Sequence, residues 1–118
     1  MTKVIDVMAD DGFEPSKAKD ENGVGTAWRK DISVDPERGV GVMIWKADSG
    51  SYITHQPGYA ETFVVLSGSA NCSIGDGEFV PIGPGSIVHM PLGAGMRMEV
   101  KTPYRMVATA IVGQPKPA

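Results

Sequence analysis

At 118 residues and 12.5 kDa the chain has room for one domain, and 42% hydrophobic against 21% charged residues are ordinary values for a folded core. Eleven basic against fourteen acidic residues leave a formal charge of -3 and a pI near 5.2, without the basic excess that neutralising phosphates requires, so nucleic acid is not expected as a partner. The opening MTKVIDVMADDGFEP has acids where a secretion leader has basic residues, the sequence lacks a run of about 18 apolar residues, and the single Cys72 allows no internal disulfide. These features predict a soluble cytoplasmic protein with no membrane partner.

Residues 1–25 are polar and acidic and predict an arm lying against the domain, with Val4 and Val7 as the candidates for a short edge strand. Fifteen glycines and nine prolines cut the rest into short pieces without helical periodicity. Strand-sized runs follow at Thr26 to Val34, Val40 to Lys46, Ser51 to His55, Glu61 to Leu66, Ala70 to Ile74, Glu78 to Ile82, Ser86 to Met90, Met96 to Lys101 and Tyr104 to Val112. Ser67-Gly68-Ser69 marks one reversal and Gly75-Asp76-Gly77 another, the latter a tight hairpin needing positive φ. Ala70, Cys72 and Ile74 alternate with Asn71 and Ser73, which places Cys72 in the core. An all-β domain over 26–113 is expected, a sandwich or small barrel, followed by a frayed tail at 114–118.

GSYITHQPGYAETFVVLSG (50–68) and GSIVHMPLGAGMRMEV (85–100) resemble the two sequence blocks of the cupin superfamily. His55, Glu61 and Gly68 fit the first block, and Gly85, Pro91 and Gly93 fit the second. The wider pattern is similar to the small single-domain cupins of unknown function, relatives of the ethanolamine-utilisation and ureidoglycine aminohydrolase cupins. The resemblance implies a single jelly-roll antiparallel β-barrel, a small-molecule ligand inside it and a homodimer. It also implies an incomplete metal site. Pro57 stands where a metal-binding cupin has its second histidine and Met96 where it has the third, leaving His55 and Glu61 too few to hold a divalent transition metal.

Strand alternation puts Glu61 on one face with Phe63 and Val65, so a carboxylate shares an apolar face and could serve as a base or ligand contact, or sit satisfied at the strand mouth. His55 could shuttle a proton or bind a metal beside Glu61, or be an ordinary loop residue. His89 could complete a site of His55, Glu61 and His89 if its ring points inward, but period-two reasoning leaves its direction open. Met43, Met90, Met96, Met98 and Met106 fall on predicted strands as core filler, with Met96 facing the pocket at the third-histidine position. Trp45, Tyr52 and Tyr59 offer a stacking surface, while Arg97 and Arg105 either counter an anionic ligand or are solvated. Neither a nucleophile elbow nor a phosphate-binding loop is present. The expected pocket is therefore His55, Glu61, Phe63, Met96, His89 and Tyr52. Three functions compete: a small-molecule binder with an incomplete metal site, a metal-dependent enzyme acting on a small nitrogenous metabolite, and a non-catalytic accessory or sensor protein.

Overall fold

The computed structural model describes residues 3–18, 20–54 and 58–113. Among these residues ten strands form in chain order: β1 (Glu14–Pro15), β2 (Ala27–Asp35), β3 (Val40–Ala47), β4 (Gly50–Thr54), β5 (Tyr59–Ser67), β6 (Ala70–Ile74), β7 (Val80–Ile82), β8 (Ile87–Met90), β9 (Met96–Val100) and β10 (Tyr104–Val112). Among the described residues no helix is long and apolar enough to cross a membrane. The nine expected strands are all present, with ends shifted by a residue or two. β7 is the most shortened, starting at Val80 because the turn after β6 takes up residues 75–79.

Hydrogen bonding divides the strands into a six-stranded sheet, β1-β2-β3-β10-β5-β8, and a four-stranded sheet, β4-β9-β6-β7. Every pairing is antiparallel. The expected jelly roll is thus built from two facing sheets that do not close into a continuous barrel. Alternation decides what lies between them: Tyr104, Met106 and Ala108 of β10, Phe63 and Val65 of β5, and Met96, Met98 and Val100 of β9 are all buried in one core. Phe63 is 1% exposed, and truncating such a ring to alanine costs about 3–5 kcal/mol.

Turn chemistry holds the strands in register. Gly68 joins β5 to β6 at φ +82°, and a Cβ there would meet the Pro103 carbonyl oxygen at 2.1 Å. Gly75 adopts φ +61°, and the Gly77 N–H donates to the Ile74 carbonyl at 3.0 Å, closing the turn expected there. The register of β2 on β3 shifts between Asp31 and Ser33, a bulge that turns Val34 toward the inner face alongside Gly41.

The N-terminal arm wraps the β2 edge of the larger sheet. Its strand is Glu14–Pro15, paired with Trp28 and Arg29; the edge strand expected at Val4 and Val7 does not form, and Val4 is 87% exposed. Before β1 the arm lies on the outer face. Phe13 sits there beneath three cations, with Lys46 Nζ 4.3 Å, Arg105 Cζ 5.3 Å and Lys30 Nζ 5.7 Å from its ring centroid. Arg105 donates to the carbonyls of Val7 and Ala9, both at 3.0 Å, and pairs with Asp10. Ile44 faces the same way and is wholly buried apart from the core between the sheets. After β1 the chain turns inward to Asp20, whose carboxylate accepts the N–H groups of Gly25 and Ser51 at 2.8 Å and those of Asn22 and Val24 at 3.2–3.3 Å.

Candidate functional site

Between the sheets, at the end where the arm comes in, lies a cavity of about 370 Å³. Inward positions of β2, β3, β5, β9 and β10 supply its wall: Arg29, Met43 and Trp45, Tyr59 and Glu61, Met96 and Met98, and Met106. Tyr52, Ile53 and Thr54 of β4 add one side, and Ser16, Lys17 and Ala18 of the arm close another. The Trp45 indole N–H donates to Ser16 Oγ at 3.1 Å, tying arm and wall together. Tyr52 meets the Trp45 ring edge-on at 5.2 Å and 88°. The result is a wall of thioethers and aromatic faces, with Ser16, Lys17, Arg29, Thr54 and Glu61 as its polar members.

The principal polar group is Glu61. It is 3% exposed, and its Oε1 has no hydrogen-bond partner among the described residues. Burial raises its carboxyl above the ordinary value, with the positive charge of Arg29 pulling the other way. The Tyr59 phenol is likewise pushed up, first by burial and then by the negative charge of Glu61, against the opposing effect of Arg29. Arg29 pairs with Asp31 at 2.7 Å through Nη2, while its Nε is buried without a partner among the described residues. Few buried polar groups in a folded protein lack partners, and here two stand on one cavity wall.

Of the residues expected in the pocket, Glu61, Met96 and Tyr52 are brought together there. Tyr52 contributes only its ring, because its hydroxyl points at the carbonyls of Asp48 (2.9 Å) and Thr26 (3.2 Å), and burial raises its phenol to about 12. Phe63 shares the Glu61 face but packs deeper in the core, away from the cavity. His89, whose direction the sequence left open, faces away from the expected pocket. It pairs in register with Thr62, the outward neighbour of Glu61, and its Nδ1 lies 2.9 Å from Thr62 Oγ1 on the solvent side. His55 and Pro57 lie outside the described residues. Neither arginine weighed as an anion contact reaches the cavity: Arg105 is buried on the outer face, and Arg97 is exposed, 3.6 Å from Glu21. Cys72 is a core residue whose thiol is raised to about 11 by burial, so it offers little thiolate.

Sequence reading missed Arg29 and, although it expected the arm, the part that Ser16, Lys17 and Ala18 take in the cavity wall. A signal for the first was present in Ala27, Arg29 and Asp31, which alternate with Trp28 and Lys30 and so put the guanidinium on the Ala27 face. For the arm, nothing local marks Ser16 as the residue that meets the Trp45 indole, 29 positions further along the chain.

Around Glu61 a hard divalent ion finds poor company. Among the described residues no group of three or more His, Cys, Asp or Glu side chains converges. The neighbouring wall is mostly thioethers and aromatic rings with the hydroxyls of Ser16 and Thr54, and its cations, Arg29 and Lys17, repel a metal ion.

No protein-family model matches the chain, and no curated protein matches it in sequence. Its fold is matched by solved structures. An uncharacterised conserved protein with a double-stranded β-helix domain from Klebsiella pneumoniae superposes with TM-score 0.71 at 18% identity, over 98% of this chain and 95% of that one. The EutQ protein of Clostridium difficile gives 0.64 at 20% identity, over 77% and 71%. The Cnp3 cupin domain of Schizosaccharomyces pombe gives 0.65 at 10% identity, over 74% and 65%. With its two facing antiparallel sheets and these structural neighbours, the chain has the cupin fold, a jelly-roll double-stranded β-helix.

Proposed function

We propose that the protein binds a small organic molecule in the cavity between its sheets, with Glu61 as the polar anchor and without a divalent ion as a required partner. One observation carries this reading: a carboxylate oxygen, buried and without a partner among the described residues, stands on the wall of a cavity of about 370 Å³ lined by methionines and aromatic rings. Such an oxygen forfeits a hydrogen bond in the empty cavity and regains it when a ligand donates to it. The methionine side chains suit a variety of shapes, since the unbranched thioether adapts its rotamers to what it touches.

Labelling the methionine methyl groups tests the reading directly. Addition of a fragment library should shift the methyl resonances of Met43, Met96, Met98 and Met106 while leaving Met8, half-exposed on the arm, in place. A library that moves none of the four, or moves Met8 equally, overturns the proposal. Protein purified without chelator should contain far less than one transition-metal ion per chain. A full equivalent of manganese, iron, nickel or zinc, lost together with fragment binding on chelation, would favour the metalloenzyme.

A further inference from the structure

Two buried atoms of residues that line the cavity, both without partners among the described residues, have opposite needs: Glu61 Oε1 accepts a hydrogen bond and Arg29 Nε donates one. They do not satisfy each other, because the guanidinium is turned to Asp31. Their charges also differ in depth. Glu61 is 3% exposed, whereas the side chain of Arg29 is 41% exposed and Lys17, the other cation on the wall, is at the surface of the arm. A carboxylate therefore sits inside and cations stand nearer the rim.

We propose that the cavity takes a small zwitterion, its ammonium group donating inward to Glu61, its carboxylate accepting outward from Arg29 Nε, and the carbons between them lying against Met43, Met96 and Met106. The proposal rests on the reading of the cavity as a binding site and adds the class of its occupant. An ammonium pairs with the carboxylate where water is largely excluded, so the contact gains from the low local dielectric and removes an uncompensated buried charge. A carboxylate reaching Arg29 gains a charge-assisted hydrogen bond from an N–H that is already desolvated. An amine alone leaves Nε unsatisfied, and an acid alone places a second negative charge beside Glu61. A single bridging water could also meet both atoms, and that is the competing occupant.

The test is a titration of the full chain with linear ω-amino carboxylates from glycine to 6-aminohexanoate, each set against the amine and the carboxylate of the same length, followed by calorimetry and by melting temperature. At least one zwitterion should bind ten-fold or more tightly than both of its single-ended counterparts and raise the melting temperature at saturation. Glu61→Gln should abolish the advantage over the plain carboxylate, and Arg29→Gln the advantage over the plain amine. The inference is overturned if a single-ended compound matches its zwitterion, or if both variants keep the wild-type preference. Thioanisole, a neutral apolar probe followed by the same methionine methyl shifts, separates the two failures. If thioanisole binds and no zwitterion does, the cavity reading stands and water is the partner of the two atoms; if neither binds, both readings fall. The comparison of ligands on the unmodified protein decides the matter even if a variant does not fold.

Discussion

Glu61 is a carboxyl group held in a buried wall, and the cost of ionising it there is written into the pH dependence of stability. Its carboxyl is raised in the folded chain relative to the unfolded one, so the destabilisation is absent below the ordinary value of 4.5 and grows as pH rises from there through the folded value. Glu61→Met, which keeps the volume and removes the charge, should therefore stabilise the empty protein at pH 7 by about 1–3 kcal/mol and by much less at pH 4, as urea melts at the two pH values would show. Equal gains at both would mean that the carboxylate is satisfied in solution. Asp20 works in the opposite sense. Backbone N–H groups, chiefly those of Gly25 and Ser51, hold its carboxyl at about 2 instead of 3.8, so its contribution is present above 3.8 and is lost as pH falls toward 2. Asp20→Asn should lower stability at pH 6 and flatten the acid limb between those values. Of these two acids, sequence reading singled out Glu61 through its spacing from His55 and Gly68. Asp20 was hidden, because nothing local shows that four N–H groups from a loop and from β4 converge on it.

At the level of strands and turns, alternation was legible wherever one face is apolar and the other wet, as in β9, where Met96, Met98 and Val100 are buried and Arg97 and Glu99 exposed. It was not legible in β8. The direction of His89 is set by pairing with β5, which puts Thr62 opposite His89 and Glu61 opposite Met90, and a sequence of Ile-Val-His-Met is apolar on both faces. The two reversals expected from glycine are both present, yet they differ in what surrounds them. Gly68→Ala brings a methyl into the Pro103 backbone in addition to left-handed strain, and should cost about 3 kcal/mol or more. Gly75→Ala bears the strain alone, since nothing lies within 4 Å of its Cβ position, and should cost about 1 kcal/mol. Thermal melts of the two variants should rank them in that order, and a reversed ranking would refute the close approach of β5–β6 to the chain before β10.

Across the whole molecule, the arm joins the outer face of the larger sheet to the cavity inside. Phe13 is gripped by cations from β2, β3 and β10, while Ser16, Lys17 and Ala18 form cavity wall a few residues later. This arrangement escaped sequence reading because it depends on Lys30, Lys46 and Arg105 coming together from distant parts of the chain, and each one alone reads as a solvated charge. Phe13→Ala should destabilise by about 1–3 kcal/mol and expose the arm to protease, with added quenching of Trp45 by acrylamide as the indole loses its cover. Unchanged protease resistance and quenching would show that the arm is held elsewhere. The larger sheet also outreaches the smaller. Beyond the cavity its inner face continues, past Arg29, Met43 and Tyr59, into a groove of about 460 Å³ bordered by Val34, Ala110 and Val112. The chamber is thus walled by the arm at one end and has a threshold at the other. For an occupant bound as proposed, the groove is the way out, so residence time should respond to bulk added at Val34, whereas loosening the arm should weaken affinity.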